Sequence, residues 1–329
     1  MMGPGRDNAD GAGAELSLST IYAARALLRR HFPPSRLVRS RTLSARGAEV
    51  HLKLESELPT GSFKPRGALW ALAANLARRP IQEVTASSTG NHGAAVAYAA
   101  GRCALRATVF LQRDPDPAKR ALVAALGATI VEVGDMDLSA ATRAASEHGR
   151  RDGVFFLDDA TDPDLPAGPA TIALEIIECL PSVDTIIVPV GDTALIRGVA
   201  AAAKQLVPRV RIIGVQAERA PSYTLSWRAG HPIATETCDT IADGLATRSP
   251  DGDNVRALRA LVDDMVLVSD ADIRDAMGRL FESEETRAEP AGAAATAALL
   301  AAPTLAGSRT VVLVTGANGS RHHFDGRRP

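Results

Sequence analysis

Lysine is scarce in this chain, and one of its lysines sits where an amine could act. Of 37 basic residues four are lysine (Lys53, Lys64, Lys119 and Lys204), which leaves 37 − 4 = 33 arginines. An amine can shed its proton and bond covalently to a carbonyl carbon, whereas a guanidinium stays protonated. Lys64 lies in "ELPTGSFKPRGALWAL", after a glycine-bearing turn and directly before a helical run. The other three have plainer readings. Lys53 alternates along a predicted strand, Lys119 belongs to a charged helix start, "DPDPAKR", and Lys204 lies inside an alanine-rich helix. Lys64 is therefore the candidate covalent amine.

Three more glycine turns follow predicted strands: "SSTGNHG" (87–93), "VPVGDTALIRG" (188–198) and "VTGANGS" (314–320). None fits GxGxxG or GxxxxGK[ST], which argues against a dinucleotide or a nucleoside triphosphate. Backbone amides at the start of a helix bind anions, and a small polar turn can do the same. Taken singly, "STGN" also fits an ordinary helix cap and "GDTA" an ordinary turn. Taken together, the four turns describe an amine, an anion cradle and two polar loops on neighbouring strand ends, where open α/β sheets hold their ligands.

The elements that must position these turns alternate. Predicted strands at 48–55, 83–88, 106–111, 128–133, 153–157, 183–190, 210–216 and 309–316 are separated by helical runs such as 65–79, 92–101, 170–180, 193–206 and 291–302. The series of strands is expected to close at 210–216, apart from the one near the end. Continuously apolar strands between helices predict an α/β protein with mostly parallel sheets covered on both faces. The expected division is a disordered tail over 1–16, a large domain from 17–83 and 158–329, and a small inserted domain over 84–157.

Bulk properties narrow the function classes. The 329 residues are 46% hydrophobic and 23% charged with a formal net charge of −1, so no electrostatic pull toward nucleic acid or a membrane surface is expected. With no apolar leader and no long apolar run, the chain reads as cytoplasmic. Cys103, Cys179 and Cys238 are an odd, scattered set without CxxC spacing, read as small buried hydrophobes rather than disulfide or zinc positions.

The ordered motifs resemble a family. "LKLESELPTGSFKPRGA" is similar to the lysine motif of fold-type II pyridoxal-phosphate enzymes, the two-lobed tryptophan synthase β-like fold, and in particular the serine/threonine dehydratase and serine racemase group. "SSTGNHG" looks like its asparagine loop, and "VPVGDTALIRG" stands where its glycine-rich phosphate loop would. "DTIADGLA" (239–246), "EPAGAAATAAL" (289–299) and "VVLVTGANG" (311–319) follow in the same order, over about residues 20 to 320. The wording of "STGNHG", "GDTALIRG" and "LSWRAG" is most similar to the hydroxyectoine-utilisation dehydratase subgroup.

The resemblance implies a cofactor, pyridoxal 5'-phosphate, with Lys64 as its Schiff-base lysine and the shuttle for the substrate's Cα proton. Phe63 and Asn91 would flank the cofactor ring, Asn91 facing its ring hydroxyl oxygen. Gly191, Asp192, Thr193, Ala194 and Leu195 would hold the phosphate, although Asp192 beside a dianion must point away or meet a partner. Thr315 would face the pyridine nitrogen, and a neutral hydroxyl there favours β-elimination over transamination. Ser88, Thr89, Gly90 and Asn91 would bind the substrate carboxylate, with His92 beside them in a supporting place and Glu289 nearby on the substrate side. The racemase branch's metal site should be missing, because Gln216 and Ser222 stand where it uses acids. The implied activity is deamination of a β-hydroxy amino acid by a homodimer without a regulatory lobe. Racemisation or β-replacement, and a non-catalytic ligand-binding protein on the same fold, are the alternatives.

Overall fold

The computed structural model describes residues 16–44, 47–88, 90–134 and 138–319. The expected tail and the last residues, "RHHFDGRRP", fall almost wholly outside that range. In chain order the strands are β1 (Leu37–Arg39), β2 (Glu49–Leu54), β3 (Glu83–Ser87), β4 (Arg106–Leu111), β5 (Thr129–Glu132), β6 (Val154–Phe156), β7 (Thr185–Pro189), β8 (Arg211–Ala217), β9 (Asp264–Val268) and β10 (Arg309–Val314). The helices are α1 (Leu18–Leu28), α2 (Pro65–Leu76), α3 (Asn91–Arg102), α4 (Pro117–Ala125), α5 (Leu138–His148), α6 (Ala167–Cys179), α7 (Ala194–Leu206), α8 (Ser222–Ala229), α9 (Gly252–Leu261), α10 (Asp270–Glu284) and α11 (Pro290–Ala301).

Two sheets result. The larger has the order β1-β2-β10-β7-β8-β9 and the smaller β5-β4-β3-β6. Every pairing between these strands is parallel except β1 with β2. The central strands β7 and β10 bury nearly every residue, which is why they read as unbroken apolar runs. One core packs α6 and α7 against one face of the larger sheet, around Ile186, Val188, Ile196 and Leu313. A second packs α10 and α11 against the other, around Val215, Ile273, Ala294 and Val312. A third joins α2 and α3 to β3.

Several elements differ from the expectation. The larger sheet does not stop at β8, because β9 pairs beyond it in parallel register, Val215 opposite Val266. Helix α10, with a capping box between Ser269 and Asp272, returns the chain to α11. The cysteines are also a correction: none is buried, and Cys179, at the last position of α6, is exposed. None of the three forms a disulfide among the described residues.

The lysine-bearing turn rests on a buried ionic network. Pro65, whose ring pre-sets a helical backbone angle, opens α2, and Arg66 follows it into the interior with 1% of its surface exposed. Its guanidinium donates to both oxygens of Glu55 (2.7 and 2.9 Å), to both oxygens of Glu175 (2.7 and 2.8 Å) and to Thr171 Oγ1 (2.9 Å). Lys53 Nζ also pairs with Glu175 and donates to the Ser35 carbonyl at 2.7 Å. Two cations thus offset two carboxylates, and the start of α2 is fixed to the turn that follows β2 and to α6.

Candidate active site

A cleft of about 460 Å³ opens where strand ends of the two sheets meet. Its wall includes Phe63, Lys64, Asn91, Asp159, Gly191 to Leu195, Glu289 and Thr315. The four turns singled out in the sequence therefore converge on one cavity.

Backbone pairing places the amine. Ser62 bridges Gly316, and Phe63 N–H donates to the Thr315 carbonyl at 3.0 Å, so the lysine turn is tied to the turn after β10. Lys64 caps α2, and its Nζ pairs with Asp159, on the loop between β6 and α6. Among the four lysines only Lys64 lines the cleft. Lys53 is in the buried network, Lys204 pairs with Asp263, and Lys119 pairs with Asp243. Lys119 is nonetheless closer to the site than its helix-start reading suggested. A Cβ on Gly90 would come within 3.1 Å of its side chain.

Asn91 opens α3 and is fixed on both sides. Its Nδ2 donates to Glu289 Oε1 at 2.6 Å, and its Oδ1 accepts from Asn318 Nδ2 at 2.8 Å. Asn318 also donates to the Thr60 carbonyl at 2.6 Å. Glu289 is the N-cap of α11, but its side chain turns to Asn91 and makes no bond to its own helix. Burial pushes the Glu289 carboxyl up, with the bond from Asn91 opposing.

The loop before Asn91 departs from the expected nest. Gly90 N–H is spent on Ser88 Oγ at 3.0 Å and Ser88 N–H on the Phe110 carbonyl at 3.1 Å, while Thr89 lies outside the described residues. His92 is buried behind the cleft wall rather than part of it: its Nε2 is 2.9 Å from the Leu157 carbonyl oxygen and its Nδ1 3.3 Å from Oδ1 of Asp159, a wall residue.

The "GDTA" turn carries two unusual residues. Thr193, the N-cap of α7, has φ +73°, a left-handed angle that costs a β-branched residue of order 1–3 kcal/mol. Its hydroxyl is buried without a hydrogen-bond partner. Asp192 meets a partner, Thr247 Oγ1, which donates to it at 3.0 Å. Burial and the neighbouring Asp159 push the Asp192 carboxyl up. Gly191 has no room for a side chain, since a Cβ there would stand 2.2 Å from the Gly244 carbonyl oxygen.

Of these residues, sequence reasoning missed Asp159, Asn318 and Thr247. Asn318 was inside a quoted motif, two residues after its glycine. Gln216 and Ser222 are spent elsewhere: Gln216 Oε1 accepts from Thr224 N–H and Oγ1, and Ser222 Oγ donates to the Thr247 carbonyl.

Asp162, on the same loop as Asp159, gives a pH-dependent stability. Burial pushes its carboxyl from an ordinary 3.8 up to about 6. A carboxyl raised on folding stabilises the fold fully below the unfolded value, and that contribution is lost as pH rises through the folded one. The window is therefore pH 4 to 6. Asp162→Asn, whose amide oxygen can still accept from Asp164 N–H, is expected to gain about 3 kcal/mol at pH 8 and nearly nothing near pH 4. Urea unfolding at both pH values measures this; equal shifts at the two would contradict it.

The profile of a family described as "Pyridoxal-phosphate dependent enzyme" matches residues 28–316, and the chain belongs to that family. Among curated relatives, the L-threonine ammonia-lyase of Thermotoga maritima is 36% identical over 304 residues, covering 92% of this chain and 76% of that one. Among solved structures, maize serine racemase superposes with a TM-score of 0.89 at 29% identity, over 94% of this chain and 96% of that one. A threonine deaminase from Solanum lycopersicum, isoform 2 in its processed form, gives 0.86 at 30%, over 93% and 85%. These likenesses place the chain in the fold-type II serine/threonine dehydratase group and make it a pyridoxal-phosphate-dependent lyase.

The cleft fits that cofactor. It offers an amine at Lys64 and an unpartnered buried hydroxyl at Thr193. The Thr193 turn also leads into a helix N-terminus, whose first amides have no partner within the helix.

Proposed function

We propose that the chain removes the β-hydroxyl and the amino group of a β-hydroxy amino acid, giving a 2-oxo acid and ammonium. The carrying observation is the position of Lys64 Nζ in a cleft shared with Asn91, Thr315 and the turn before α7. When bound, the cofactor supplies an electron-withdrawing ring that acidifies the substrate's Cα–H. Lys64 holds the cofactor and takes the Cα proton at Nζ. Amides of 191–195 with the Thr193 hydroxyl bind the phosphate, and Asp192 is kept off it by Thr247. Asn91 keeps one amide proton beyond its bond to Glu289 for the ring hydroxyl oxygen. Thr315 presents a hydroxyl, not a carboxylate, to the ring nitrogen. The start of α3 and Glu289 form the substrate end.

This reading includes a large domain of 17–83 and 158–329 with an inserted domain of 84–157, supported by the two separate sheets. It also includes a cytoplasmic homodimer; among the described residues no helix is long and apolar enough to cross a membrane. The test is a panel of serine, threonine and diamino acids of the ectoine-derived kind, assayed for 2-oxo acid and ammonium and by chiral chromatography. Release of both products supports elimination, and preference for the diamino acids assigns the hydroxyectoine-utilisation subgroup. A D-amino acid as the main product would replace the reading with racemisation.

A further inference from the structure

Asp159 has cationic neighbours from two other elements. Lys64 Nζ, at the start of α2, reaches Oδ2, and His92 Nδ1, on α3, lies 3.3 Å from Oδ1. The carbonyl oxygen of Leu157 can only accept, so His92 Nε2 carries a hydrogen. A bare Nδ1 lone pair facing a carboxylate would be repelled, so Nδ1 carries one too. Carrying both hydrogens, the buried His92 ring clamps one oxygen of Asp159 and leaves the other for Lys64. Burial alone would push the His92 ring down and the Asp159 carboxyl up; the attraction of Asp159 reverses the first against the opposing charge of Lys64, and His92 together with Lys64 reverses the second. The remaining charged groups nearby are Asp192, Asp158 and Asp162.

The charge on Lys64 changes during the elimination argued above. The amine must be neutral to take the Cα proton and is an ammonium once it has done so. A fixed carboxylate beside Nζ favours the second state over the first, and an interaction made only as the proton arrives accelerates the step. We propose that Asp159, braced by His92, is the positioning residue for Lys64 and the counter-ion for the ammonium formed there. In that step the Cα–H bond breaks, an N–H bond forms at Nζ and the electron pair stays with the substrate. The proton then leaves with the β-hydroxyl as water.

This inference rests on the elimination reading, and the test separates the two. In the holoenzyme, Asp159→Asn is expected to lower kcat about 100-fold and leave KM within about threefold. His92→Asn, which keeps a donor but not the charge, should lower kcat about tenfold, and the double variant should be no worse than Asp159→Asn within about twofold. In the apoprotein, an NMR titration should show the His92 ring protonated above the ordinary histidine range, and below it in Asp159→Asn, where burial acts unopposed. A kcat loss under about threefold, a loss expressed only in KM, or a His92 titration unmoved by Asp159→Asn would overturn the proposal. Should Asp159→Asn fail to fold, the kcat and KM of His92→Asn decide. Should wild-type holoenzyme release no 2-oxo acid, the elimination reading falls, while the apoprotein titration still decides whether Asp159 and His92 are paired.

Discussion

Lys64→Ala is expected to abolish covalent cofactor attachment and to lower elimination by about 10,000-fold, because both nucleophile and proton acceptor are lost at one nitrogen. Lys64→Arg should do no better, since a guanidinium keeps its charge. Neither variant should unfold the protein. The side chain is 20% exposed at the cleft wall, and Asp159 retains His92 as a partner. Borohydride reduction followed by peptide mapping reads the attachment, and product release reads the rate. Label on a peptide containing Lys53, Lys119 or Lys204, or activity within tenfold of wild type in Lys64→Ala, would contradict the assignment of the covalent amine.

The second large effect concerns stability. Arg66→Met would leave Glu55 and Glu175, buried side by side, with Lys53 as their remaining cation. Removing one partner from a buried ionic network costs about 3–5 kcal/mol, because an uncompensated charge stays in the interior. The expected result is an unfolding free energy in water lower by that amount, read as a lower urea midpoint at an unchanged slope. Arg66→Lys should recover little, since one ammonium cannot reproduce bonds to four carboxylate oxygens and a hydroxyl. Replacing Glu55 or Glu175 by glutamine alongside Arg66→Met should restore part of the loss, by removing the unpaired charge rather than adding a contact. A loss below about 1 kcal/mol would show that the network relaxes or admits water.

Most of the architecture was legible because its central strands are buried on both faces. No polar residue interrupts "TVVLV" or "TIIVP", so their period and length stand out. The edge strand β9 escaped for the opposite reason: "DMVLV" begins with an aspartate, and only Met265 and Val268 in it are buried. Within the site, residues in distinctive turns could be found by type. Lys64, Asn91, Asp192, Thr193, Glu289 and Thr315 all line one cleft. Asp159 could not be found that way. It is one of four aspartates in "LDDATDPDLP", and its neighbour Asp158 does the ordinary work of such residues, accepting from Ala160 and Thr161 N–H to close a turn. Only the three-dimensional path of the loop distinguishes the two.

The position of β10 bears on how the protein comes to be made. It lies between β2 and β7, so without it the larger sheet is two separate fragments. Phe63 donates to Thr315, 315 − 63 = 252 residues further along the chain. At about 5–20 residues per second, the ribosome takes roughly 13–50 seconds to span that gap. During that interval the nascent chain carries Lys64 without the turn that seats it. If Lys64 holds the vitamin as proposed, loading is expected to follow synthesis of β10, and a stalled polypeptide ending before that strand should be blind to the vitamin.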